Sequence, residues 1–167
     1  MKIDFAKYSS VKIGPVLEVE QISINKSFNG IVIGGANNLL ISPNFSGKIG
    51  ILGDEFNYIK CEDGVLKIGA KTNAKDIYKF AKKMNIAGFE ALAKIPGFLG
   101  GLLKMNAGLK GLSISDNLLS LNCAGKILNK QECGFEYRKS ELFGVIFEGV
   151  FELKSGFNDA LCDDLRL

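Results

Sequence analysis

At 167 residues with 47% hydrophobic side chains, the chain can bury a sizeable core, as one compact unit or as two small lobes. Its net charge of +3 is modest and its lysines are spread among acids, so neither nucleic acid nor a membrane surface is called for as a partner. It contains no histidine, which removes the Ser-His-Asp triad, the zinc-protease helix and any imidazole base. Chemistry must then come from a cofactor or from Arg, Lys, Tyr, Ser or carboxylates.

The N-terminus, MKIDFAKYSS, lacks an apolar leader core, and no stretch reaches the length of a membrane span, so a cytoplasmic protein is expected. Residues 16–24 read as the first strand, followed by a β-branched strand at 31–33 that empties into Gly34-Gly35-Ala36-Asn37-Asn38. A strand running into a glycine and amide turn is phosphate-binding geometry, because successive N–H groups can converge on an anion. It is not the dinucleotide fingerprint: the glycine spacing differs, and Leu39-Leu40-Ile41 reads as a returning strand instead of a long helix.

Strands follow at 48–52, 57–61 and 65–70, the last two joined by the turn Glu62-Asp63-Gly64. Asn73 is placed to cap a helix with Asp76 in its first turn, and Ile77, Phe80, Ala81 and Met84 form a core-facing stripe at helical spacing.

The segment from Gly88 to Gly111 then sets six glycines and Pro96 around a short apolar core. Such a run lets backbone approach a ligand closely, with Pro96 fixing the turn that aims Gly97, and a pyrophosphate-bearing cofactor is the natural guest. The competing reading is that Gly97, Gly100 and Gly101 only allow a helix to pack closely on a sheet.

Further strands are expected at 118–124, 126–129 and 145–153, the first two joined as a hairpin across Gly125. Near the end, Asn158 and Asp159 start a helix in which Leu161 and Leu165 lie four apart, and the chain reads as interrupted there. Cys61, Cys123, Cys133 and Cys162 form no CxxC pair, so no metal is expected; they read as buried free thiols in a reducing compartment. Strands outnumber helices and neighbour one another in sequence, which favours α+β over a doubly wound parallel sheet.

In combination, IGGANNLL at 33–40, IPGFLGGLLKMNAGLKG at 95–111 and FEYRKS at 135–140 resemble, in order and spacing, the UDP-N-acetylenolpyruvoylglucosamine reductase family. The resemblance runs from about Tyr8 to Leu153. It implies the two-lobed FAD-binding fold of the vanillyl-alcohol-oxidase (PCMH) type, with lobes at 1–70 and 71–155 and the start of a substrate domain at 156–167. It also implies an NADPH-dependent oxidoreductase that reduces a UDP-sugar enolpyruvyl ether in peptidoglycan precursor synthesis, this chain being its FAD-binding part and inactive alone.

On the same basis, FAD would be held by Gly34, Gly35, Ala36, Asn37, Asn38 and Leu39, by Ile95, Pro96, Gly97, Gly100 and Gly101, and by Asn106, Gly108 and Gly111. Tyr137 and Arg138 would bind substrate. Arg138 would also be catalytic, because hydride reduction of an enolpyruvyl double bond places negative charge on the carboxylate-bearing carbon, and a fixed guanidinium stabilises it. Paired with Glu136 or Glu141, Arg138 would instead be an ordinary surface residue.

The chain departs from the family where a third glycine and a serine usually stand, having Ala36 and Asn37, where Lys94 replaces a glycine before IPG, and where NAGLKG replaces NAGAYG. The family's SxFKNP-like segment, whose serine is the proton donor, belongs to a third domain that would be supplied by further chain. Two other readings stay open: a flavin- or nucleotide-binding module without turnover, and an unrelated FAD oxidase of the same fold.

Overall fold

A computed structural model describes residues 1–24 and 27–164. Strand β1 (Lys2–Asp4) leads into the short helix α1 (Phe5–Tyr8), whose start is fixed by the Asp4 side chain accepting from Ala6 N at 3.1 Å. The expected strand 16–24 divides in two. β2 (Val16–Glu18) pairs antiparallel with β1, whereas β3 (Glu20–Ile22) joins a parallel sheet with β4 (Ile31–Val32) and β5 (Ile49–Leu52), in the order β3-β5-β4. The break falls at Val19, whose backbone N–H and C=O are both taken by Met1. Ile3, Phe5, Val19, Ile33, Ala36, Ile41, Ile49 and Ile51 close a small core around this first unit. Leu39 to Ile41 form no strand.

The larger unit is an antiparallel sheet. β6 (Ile59–Glu62) and β7 (Val65–Gly69) form a hairpin across Asp63 and Gly64, both at positive φ, as a two-residue turn of this hand requires. Helix α2 (Ala74–Lys83) is capped by Asn73, whose side chain accepts from Lys75 N at 2.8 Å, and it buries Ile77 and Ala81 against the sheet. Met84 does not share that face: the helix ends at Lys83, and Met84 turns out to 51% exposure. Helix α3 (Leu99–Lys104) follows, then the small hairpin β8 (Gly108–Leu109) and β9 (Leu112–Ser113). β10 (Leu118–Cys123) and β11 (Lys126–Asn129) form the expected hairpin, and β12 (Ile146–Glu152) inserts between β10 and β7. The sheet order is β11-β10-β12-β7-β6.

Leu66, Ile68, Leu121 and Phe151 of the sheet are fully buried together with Leu99 and Leu103 of α3. The larger sheet thus takes in residues 59–69, and the division expected at residue 70 does not coincide with the division into sheets. Helix α4 (Asp159–Asp164) starts at Asn158, whose side chain accepts from Ala160 N at 3.0 Å; Leu165 lies outside the described residues. All four cysteines are free thiols, but only Cys123 and Cys133 are buried. Cys61 sits on a β6 face open to solvent and Cys162 is half-buried beside Glu90. Among the described residues no helix is long and apolar enough to cross a membrane.

Candidate functional site

Strand β4 ends where the Ile33 amide donates to Gly50 O at 2.8 Å, and the chain then leaves the sheet. The loop that follows has an asymmetric hydrogen-bonding state. Tyr8 Oη donates to Gly34 O at 2.8 Å, Ser10 N to Ala36 O at 3.4 Å, and Ser10 Oγ to Asn37 O at 2.7 Å. Among the described residues, the amides from Gly34 to Asn38 have no acceptor. Left unpaired in a partly exposed loop, these five adjacent donors are open to a ligand or to solvent.

The second loop is pinned from behind. Gly97, at φ +126°, gives its carbonyl to Ala74 N at 2.8 Å, Leu99 N donates to Thr72 O at 2.9 Å, and Gly100 N to Ala70 O at 2.9 Å. The two loops face each other: a Cβ built on Gly35 would lie 4.0 Å from Gly97 Cα and 2.7 Å from Asn37 Nδ2. Gly100 and Gly101 separate the two readings of this cluster. A side chain on Gly100 would meet Ala70 Cβ at 3.2 Å, so helix packing explains it, whereas one on Gly101 would meet nothing within 4 Å.

Two cavities border these loops and a third lies apart from them. A cleft of about 320 Å³ runs between the two units, lined by Ile31, Ile33 and Gly34 of the first and by Phe98, Gly101, Val145 and Ile146 of the second. A wider cavity of about 910 Å³ is lined by Gly35, Asn37, Ile95, Pro96 and Gly97 and rimmed by Lys75, Lys79 and Lys94. Tyr8 and Phe98 line both. The third, about 160 Å³, gathers Asn106, Gly108, Gly111, Tyr137 and Arg138.

The expected site residues therefore fall into two groups. Of the glycine-loop set, Asn38 is exposed and Leu39 packs against the first core, and neither lines a cavity; Ala36 is buried beneath the loop. Tyr137 and Arg138 form the tip of a two-residue turn closed by mutual Glu136 and Lys139 backbone bonds, and Tyr137 is 89% exposed. Glu136 pairs with Lys139 at 3.4 Å, and the Arg138 guanidinium instead stands 5.8 Å from the Tyr137 ring. Asn106 donates to Glu136 O at 2.9 Å, while its buried Oδ1 has no partner among the described residues.

Sequence reasoning passed over Tyr8, Phe98 and the lysines. Lys75 and Lys79 could have been found as an i, i+4 pair just beyond the Asn73 cap. Lys71, held by Asp54 at 2.8 Å, and Lys104, bonded to Leu142 O and placed over the Phe143 ring, enter the cleft by folding alone.

No family model matches the sequence. A UDP-N-acetylenolpyruvoylglucosamine reductase of Campylobacter jejuni is 48% identical over 169 residues, covering 98% of this chain, and that of Helicobacter hepaticus is 41% identical over 168 residues. Over nearly its whole length the chain is similar to UDP-N-acetylenolpyruvoylglucosamine reductases. It spans 65% of the length of the Campylobacter relative. A solved structure of the family, UDP-N-acetylenolpyruvylglucosamine reductase (MurB) from Thermus caldophilus, superposes with a TM-score of 0.82 over 98% of this chain and 65% of that one, at 22% identity. The fold extends beyond the family. A vanillyl-alcohol-oxidase-type flavoprotein of Myceliophthora thermophila matches with a TM-score of 0.53 at 13% identity, over 82% of this chain and 28% of that one. The architecture is thus the α+β fold of vanillyl-alcohol-oxidase-type proteins.

Proposed function

We propose that this chain is the flavin-holding part of an NADPH-dependent reductase that converts UDP-N-acetylglucosamine enolpyruvate to UDP-N-acetylmuramate in the cytoplasm, for peptidoglycan synthesis. The observation that carries the reading is the run of unpaired amides from Gly34 to Asn38, set where a largely apolar cleft meets a lysine-rimmed cavity. A flavin dinucleotide has that composition, an apolar ring system joined through a pyrophosphate to a polar nucleotide. The residues fit it. Gly34, Gly35 and Asn37 would serve the phosphates with Gly97 opposite, Gly101 would face the ring, and Lys75, Lys79 and Lys94 would balance the negative charge. Bound there, FAD would supply hydride transfer, which no protein side chain provides. The lobes divide near residues 53–58, with the cleft between them, and residues 156–167 open the substrate domain.

Arg138 is assigned the stabilisation of negative charge on the substrate, and Tyr137 the binding of substrate beside it. The strong exposure of Tyr137, in a cavity apart from the glycine loops, favours a second reading in which this chain binds flavin without turnover of its own. Purified protein should take up FAD non-covalently, giving a visible flavin spectrum whose chromophore stays in solution after acid precipitation. A colourless protein that takes up no FAD would sink the cofactor assignment. Stopped-flow measurement should show flavin reduction by NADPH without substrate reduction in this chain. In the longer enzyme, Arg138→Lys should lower the substrate half-reaction by about 10²–10³; a near-normal rate would remove Arg138 from the chemistry.

A further inference from the structure

Residues 8–10 hold the Gly34 loop by its carbonyl oxygens. The bonds from Tyr8 Oη to Gly34 O, from Ser10 N to Ala36 O and from Ser10 Oγ to Asn37 O take three of the four carbonyls between Gly34 and Asn37. In a trans peptide plane the C=O of one residue and the N–H of the next point in opposite directions, and none of the peptide bonds here is cis. Fixing the carbonyls of Gly34, Ala36 and Asn37 on the N-terminal side therefore turns the amides of Gly35, Asn37 and Asn38 away from it. Gly35 and Asn37 line the lysine-rimmed cavity, and these amides have no acceptor among the described residues.

The clamp is rigidly mounted. The Tyr8 ring stands edge-on to Phe5, with centroids 5.8 Å apart, and Phe5 is 1% exposed. Burial raises the Tyr8 hydroxyl above its usual range, so it stays a protonated donor at neutral pH.

We infer that Tyr8 is a positioning residue for anion binding: its hydroxyl, assisted by Ser10, clamps the loop carbonyls so that the opposite amides present to a phosphate-bearing ligand. The identity of that ligand as FAD rests on the reading given above; the clamp itself requires only a phosphate.

Tyr8→Phe keeps the ring and its seat on Phe5 and removes only the donor. Apo-protein titrated with FAD and with ADP should show dissociation constants raised about three- to tenfold, the scale of one net hydrogen bond, with riboflavin affinity unchanged. Ser10→Ala, at an exposed position where folding is not at stake, should give a loss of about threefold for the same two ligands. Equal losses for riboflavin and FAD would place the effect at the ring end of the cleft and overturn the clamp, as would unchanged FAD and ADP affinities in both variants. Wild-type protein that binds ADP but not FAD would remove the flavin reading and leave the clamp to be decided by the ADP arm. Wild-type protein that binds neither would overturn both.

Discussion

Ala36 holds φ at +49°, in the left-handed region, with its methyl group packed into the first core. The loop position where the resembled family usually carries glycine is thus one whose backbone asks for glycine, and this chain fills it with the smallest residue that has a Cβ. The left-handed conformation costs an L-residue roughly 1–2 kcal/mol, which the buried methyl partly offsets. Ala36→Gly should therefore change stability by less than about 1 kcal/mol. Ala36→Val, β-branched at positive φ, should cost about 2 kcal/mol or more. Urea unfolding of the two variants checks this, and a valine variant as stable as the parent would mean that the loop conformation is not held as described. Gly97 is under a stricter constraint, since φ +126° strains any side chain, so its replacement should lower stability as well as flavin affinity.

Helix α3 is short and carries two adjacent glycines, poor helix formers that its sequence alone does not justify. Packing accounts for Gly100, which lies against Ala70, and leaves Gly101 open to the cleft. Gly100→Ala should then cost about 1 kcal/mol, whereas Gly101→Ala should stabilise the fold by up to about 1 kcal/mol while weakening FAD binding. Paired urea and FAD titrations distinguish the two, and unchanged flavin affinity in Gly101→Ala would remove that glycine from the binding face. Elements with their own local signals were legible in sequence: α2 from the Asn73 cap and the Ile77 and Ala81 spacing, and the β6-β7 hairpin from Asp63-Gly64. The division of 16–24 was not, because both halves are β-prone and only their separate partners, β1 and β5, split them. Tyr8 was illegible as a site residue for the same reason, since its role depends on a carbonyl 26 positions away. FEYRKS marks a turn and a resemblance, but nothing local says that Tyr137 and Arg138 open into a different cavity from Gly35 and Gly97.

At the scale of the whole molecule, burial sets the response to alkali. Cys133, fully buried, has its thiol pushed up from 9.0 to about 11, chiefly by loss of solvent, and burial raises Cys123 in the same direction. Tyr58 is also raised, by burial and then by Glu148, which accepts its hydroxyl at 2.5 Å. Above pH 9 the unfolded chain releases the Cys133 proton while the folded chain keeps it, so the folded state binds more protons and stability falls between about pH 9 and pH 11. The Cys133 share is on the order of 2–3 kcal/mol. Urea midpoints at pH 8 and pH 10.5 should show that fall, and Cys133→Ala should reduce it; a midpoint that does not move with pH would contradict the burial of these groups. The pairing of β7 with β12 has a consequence for how the protein is made. The two strands are about 80 residues apart in sequence, and the second glycine segment lies between them. At translation rates of about 5–20 residues per second, β7 leaves the ribosome roughly 4–16 s before its central neighbour exists. During that interval the β6-β7 hairpin has one edge unpaired and Gly97 has no completed sheet behind it. The face behind Gly97 is thus completed only after Glu152 has emerged.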